Sequence, residues 1–211
     1  MIHLYAFAHG LSAPPAANGL RGAPLERVDV DGIAAIYSRH EGDGLAEATR
    51  DLALAHGSVI SAVDASAEAV LPVRFGERFG EVADLRAAVR ARRSALEASL
   101  ARVAGCAEIG LRVLGSEPEH EPAATGTEYM QRLRAAGTGP APALHRALEA
   151  LSRDVRISPR AGHLLSASYL VPRDRLDEVR HVVETWTAEH RDIPVICTGP
   201  WAPFTFATEA V

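Results

Sequence analysis

The chain contains no lysine: all 22 of its basic side chains are arginine. Together with the abundant alanine, this reads as a mark of base composition rather than of function. The arginines are scattered among 27 acidic side chains, leaving a net charge of -5. A basic stripe for nucleic acid or an anionic membrane is therefore excluded. Cysteine is scarce as well. Cys106 and Cys197 lie far apart and form no CxxC pair, which argues against a zinc site or a disulfide scaffold and predicts two buried free thiols in a reducing compartment. No apolar run approaches the roughly 18 residues needed to cross a bilayer. Met1–Phe7 lacks a basic n-region, so the expectation is a cytoplasmic protein with neither signal peptide nor membrane insertion.

What is present is ordinary for a globular domain, with 47% hydrophobic and 23% charged residues. Ile2–Ala8 is a short apolar strand. Leu25–Val30 and Ile33–Tyr37 flank Asp31-Gly32, the strongest short hairpin signal. From Leu45 the spacing turns helical, with Leu52, Ala55, Val59 and Val63 on one stripe. Val70–Phe75 alternates as a half-buried strand, a second helix carries Val82, Leu85, Val89, Leu96, Leu100 and Val103, and Ile109–Val113 alternates again. The Pro- and Glu-rich stretch 116–125 predicts a linker. Beyond it, helices are predicted over Thr127–Ala136 and Ala143–Asp154, a strand over Leu165–Val171, a helix through Leu176, Val179, Val183 and Trp186, and a last strand over Ile193–Cys197. The mixed order predicts an α+β fold of two lobes, residues 1–115 and 126–211. Each is expected to be a mainly antiparallel sheet with helices packed on one face, a variation on the ferredoxin-like split β-α-β theme.

The sequence offers no catalytic pattern. It has no HExxH, no GxSxG, no Walker loop and no GxGxxG after a strand, and its nine histidines do not cluster. No catalytic residue, metal or cofactor is expected. Two segments suit recognition instead. In Leu71-Pro72-Val73-Arg74-Phe75-Gly76, Pro72 suits an edge strand, and Arg74 points away from the apolar side next to Phe75. Arg74 is either a surface or salt-bridged residue or a partner contact. In Gly199-Pro200-Trp201-Ala202-Pro203-Phe204, glycine and two prolines stiffen a turn carrying two aromatics. Trp201 is either a core plug, which its large apolar area favours, or an anchor on a rigid loop.

These segments together resemble the gas vesicle GvpF/GvpL family. The resemblance runs in order along essentially the whole chain: Leu4-Tyr5-Ala6-Phe7, Gly32-Ile33-Ala34-Ala35-Ile36, the His56 helix, Val70–Gly76, Gly126-Thr127-Glu128-Tyr129-Met130, Ala167–Val171 and Thr198–Phe206. The final motif departs from the family pattern in carrying Ala202 and Phe204 where a proline and a tyrosine are usual. The resemblance implies a non-enzymatic accessory role in gas vesicle formation, with the small hydrophobic shell protein and other accessory proteins as partners. Pro72, Arg74, Phe75, Gly199, Pro200, Trp201, Pro203 and Phe204 are the candidate contact residues. The alternative is a metabolite-sensing ferredoxin-like module, on fold analogy alone.

Overall fold

The computed structural model describes residues 1–41, 49–115 and 140–207. The predicted linker 116–125 and helix Thr127–Ala136 lie outside them. The chain forms two compact units: Met1–Cys106 with Trp201–Val211, and Ala107–Pro200. The units divide earlier than the predicted boundary, and the C-terminal segment belongs to the first unit. Ala202 explains this, since it is buried in the first unit's core cluster with Tyr5, Val59 and Val63.

The first unit is built around β1 (Ile2–His9), of which every residue but the last is buried. It pairs antiparallel with β3 (Ile33–Arg39), with the edge strand β4 (Ala69–Pro72) and with the short β5 (Arg78–Phe79), while β2 (Leu25–Val30) extends the sheet beyond β3. The β2–β3 hairpin turns as read, through Asp31 at φ 54 and Gly32 at φ 91. Positive φ at both positions gives the turn a twist that matches the strands. A register shift between Leu4 and Ala6 interrupts the alternation of β1, so that the consecutive residues Tyr5 and Ala6 face the same cover. Tyr5, Ala6 and Ala8 join Val59, Ile60 and Val63 of α1 (Arg50–Asp64), whose first turn is capped by Thr49. Leu4 and Phe7 instead meet Ala88 of α2 (Val82–Ala91) and Leu96 of α3 (Arg93–Val103) around a cavity of about 10 Å³. Helices therefore cover both faces of this sheet rather than one, because its central strand is apolar on both.

The helix predicted over Val82–Val103 is two helices joined at Arg92 (φ -110, ψ 12). The buried stripe runs Leu85, Val89 and then Leu96. Arg92 and Arg93 occupy the positions where a continuous stripe needs an apolar side chain. The strand predicted over Val70–Phe75 ends at Pro72, the residue that lacks an N–H for the ladder.

In the second unit the order is β6 (Cys106–Leu114), α4 (Pro140–Glu149), β7 (Asp154–Ile157), β8 (His163–Pro172), α5 (Leu176–Glu189) and β9 (Val195–Trp201). The sheet order β7-β8-β6-β9 makes this a ferredoxin-like β-α-β-β-α-β unit. Ile109, Leu111 and Val113 of β6 share one cluster with Leu144 and Leu148 of α4 and with Val179, Val183 and Trp186 of α5. Here both helices do pack on one face. The helix predicted over Ala143–Asp154 stops at Glu149, and β7, which pairs with β8 from Asp154↔Leu170 to Ile157↔Ala167, is an addition to the sequence reading. Of the two thiols expected to be buried, Cys106 is buried and Cys197 is exposed on β9.

Candidate interaction surface

Directly after β4, the Val73 N–H donates to the Tyr5 carbonyl of β1 (2.9 Å). Leu71, Pro72 and Val73 are buried, Arg74 is exposed and Phe75 is half-buried. Among the described residues Arg74 forms no ion pair. Pro72 shapes the edge without reaching the surface.

Under this segment lies a network of polar side chains. His56 Nε2 is 2.8 Å from the Val73 carbonyl oxygen, and His56 Nδ1 is 2.9 Å from His3 Nε2. A carbonyl only accepts, so the His56 proton sits on Nε2 and its Nδ1 accepts. His3 must then donate from Nε2, and its Nδ1 keeps a lone pair, buried and without a partner among the described residues. These are the roles of neutral rings, the form that burial favours in both. Burial and, beyond it, the repulsion that a charged His3 would meet from protonated His56, protonated His40 and Arg78 depress the His3 pKa from 6.5 to about 3. Burial also lowers that of His56, partly offset by its bond to Val73. Phe75 closes the cluster, its ring 5.4 Å from His3 and 5.6 Å from His56. Beside it, Tyr5 stacks on His56 at 5.3 Å. The Tyr5 hydroxyl accepts from Leu20 N–H (2.8 Å) and bonds Ser38 Oγ (2.7 Å), which in turn reaches His40 Nε2 (2.7 Å).

The sequence reading found no cluster among the nine histidines and so did not join His3 to His56 across 53 positions. The available signal was that His56 lies three residues before Val59 on the apolar stripe of α1. A polar ring placed there needs a buried partner.

The second segment begins at Gly199, whose φ of 117 and closeness to the Glu108 carbonyl (2.6 Å from where a Cβ would stand) leave no room for a side chain. Gly199 and Pro200 are exposed and joined by a cis peptide. Trp201 is 53% exposed and Phe204 43% exposed, whereas Ala202 and Pro203 are buried. The core-plug reading of Trp201 is overturned: small Ala202 and, further on, Phe206 fill the interior, which turns Trp201 outward. Arg102, at the end of α3, donates to the Phe206 carbonyl (2.6 Å) and ties the segment down. Of the eight sequence candidates, Arg74, Gly199, Pro200, Trp201 and Phe204 are at the surface, Phe75 is half-buried, and Pro72 and Pro203 are interior. Arg74–Phe75 rests on the histidine pair and Trp201–Phe204 on Ala202 and Arg102, and Phe75 and Ala202 meet the same core cluster around Tyr5 and α1.

Among the described residues no group of three or more His, Cys, Asp or Glu is gathered for a metal, and no helix is long and apolar enough to cross a membrane.

Comparison with known proteins places this geometry. Gas vesicle protein F2 of Halobacterium salinarum is 31% identical over 157 residues, covering 72% of this chain and 66% of the relative. Gas vesicle protein F of Haloferax mediterranei is 29% identical over 65% of this chain and 59% of its own length. The chain thus spans somewhat less than two thirds of these two relatives. Gas vesicle protein L of a Streptomyces species is 31% identical, covering 78% of this chain and 70% of the relative. The crystal structure of gas vesicle protein GvpF from Microcystis aeruginosa shares the fold at a TM-score of 0.80 with 18% identity, covering 98% of both chains. The family model for gas vesicle synthesis protein GvpL/GvpF matches residues 1–208, and the chain belongs to that family.

Proposed function

We propose that this chain is an accessory protein of gas vesicle formation that binds rather than catalyses, working in the cytoplasm and at the growing vesicle. It holds an apolar surface of a vesicle component, the small hydrophobic shell protein in the first place and other accessory proteins in the second. The observation that carries this reading is the exposure of Trp201 (53%) and Phe204 (43%) on a turn whose neighbours Ala202 and Pro203 are buried. Large aromatics on a backbone that is already ordered lose little entropy on docking and supply the apolar area that dominates binding hot spots. A shell subunit with an exposed apolar face needs such cover before it assembles. Arg74, outward and without an ion-pair partner among the described residues, adds a charged contact.

The metabolite-sensing alternative has less support. The first unit's cavity of about 10 Å³ is far below the roughly 300–1,000 Å³ of ligand pockets. A groove of about 410 Å³ in the second unit is lined, among the described residues, by residues 157 to 166 of a single hairpin.

Co-purification of the tagged full chain with the shell protein tests the reading. A Trp201→Ser/Phe204→Ser double variant that keeps its circular dichroism spectrum is expected to lose capture. Arg74→Ala is expected to weaken capture at an unchanged melting temperature. Undiminished capture by the double variant would remove the turn from the interface.

A further inference from the structure

The histidine pair is more than filler. Its bond to the Val73 carbonyl fixes the residue before Arg74, and its rings carry Phe75, the residue after it. We propose that the His3–His56 pair is a proton-sensitive latch that holds the Val73–Phe75 segment, and with it Arg74, in its presented form. The biological use of the latch rests on reading Arg74 as a partner contact, while the latch itself is a property of the first unit.

The tautomers make proton uptake and opening one event. The lone pair of His56 Nδ1 is occupied by the His3 N–H, so a proton can reach it only after that bond breaks. His3 Nδ1 is open but fully buried. Among the described residues, a cation there would face no counter-charge. From α1 it meets His56, from the end of β3 His40, and from β5 Arg78, each positive when charged. From β1 it meets the neutral phenol of Tyr5, which Ser38 bonds from β3, and from the segment after β4 the apolar ring of Phe75. The closed state therefore refuses protons that the opened rings accept at the ordinary histidine pKa of about 6.5. Acid then drains the closed state by mass action and frees Val73–Phe75 from α1.

Hydrogen exchange on the full chain between pH 7.5 and pH 5.5, corrected for intrinsic exchange, tests the latch. Two histidines that are neutral when closed and titrate normally when open raise the local opening constant roughly a hundredfold over this range, and one raises it roughly tenfold. The wild type is expected to show the larger rise at Val73–Phe75, with β2 and β3 unchanged. His3→Gln, whose amide nitrogen keeps a donor to His56 but does not titrate, is expected to show the smaller. An equal rise in both proteins, no rise, or a rise shared by β2 and β3 would overturn the latch. Imidazole nitrogen shifts of the wild type supply a second reading that does not depend on the variant. Both rings should be neutral with the proton on Nε2 at pH 7.5, and a charged ring or a proton on Nδ1 would overturn the proposal. Capture of the shell protein over the same range separates the two ideas. Opening without loss of capture leaves the latch standing and removes Arg74 from the interface.

Discussion

The two tryptophans should respond to truncation very differently. Trp186 is 7% exposed within the second unit's core, stacks on His190 at 4.4 Å and donates its Nε1–H to the Pro140 carbonyl (3.1 Å). Removing a tryptophan so placed costs about 3–5 kcal/mol. At about 2–4 °C per kcal/mol for a chain of this size, Trp186→Ala should melt roughly 6–20 °C lower. Trp201 has about half of its surface in solvent. Its burial covers at most about 100 Å², worth up to about 2.5 kcal/mol at 25 cal/mol per Å². Alanine retains part of that contact, so the cost of Trp201→Ala should be about 1–2 kcal/mol, or roughly 2–8 °C. Thermal unfolding followed by far-ultraviolet circular dichroism compares the two without relying on tryptophan emission. A Trp201→Ala protein as unstable as Trp186→Ala would show that Trp201 is a structural plug and would undo its assignment as a contact.

Three further outcomes follow from the geometry. Gly199→Ala places a methyl 2.6 Å from the Glu108 carbonyl oxygen at a φ of 117, so it should lose about 1–3 kcal/mol from backbone strain alone, and urea unfolding no different from wild type would refute this. Tyr5→Phe strips the buried Leu20 N–H of its acceptor and Ser38 of its partner, and should cost about 1–3 kcal/mol in the same assay, whereas a neutral change would show that water or relaxation replaces the hydroxyl. Stability should also fall with acid. His3 titrates near 3 when folded against about 6.5 when unfolded, so its contribution is complete above pH 6.5 and lost as pH falls from there toward 3. The loss between pH 7 and pH 5 is about 2 kcal/mol, and a His3→Gln protein with the same pH slope as wild type would contradict it.

Local signals by themselves determined much of this protein. The Asp31-Gly32 turn, the alternation of Ile109, Leu111 and Val113, and the helical stripes of α5 and, from Leu52 on, of α1 depend on neighbours two to four positions apart, and they appear where the sequence puts them, while Leu45, where the spacing turns helical, lies outside the described residues. Pattern order also sufficed for the α+β class and the gas vesicle family, since a family pattern is itself a linear record. Short or interrupted elements were less legible: β7 has only four residues, and the break at Arg92 depends on α2 meeting β2 and β5 while α3 meets β4 and β1.

Tertiary structure alone decided the rest. Which side of a turn faces the interior depends on what already fills that interior, so Ala202 and Phe206 point inward and Trp201 outward, against the expectation from hydrophobic area. The return of the C-terminal segment to the first unit is likewise absent from any window of sequence. The histidine pair is the clearest case. His3 and His56 stand 53 positions apart, and neither has a motif around it. Only folding α1 onto β1 brings their nitrogens within 2.9 Å and shields them from solvent, turning two ordinary imidazoles into a neutral pair beneath Arg74. Hydrogen bonding and desolvation act through space, so a linear reading registers the residues without the interaction.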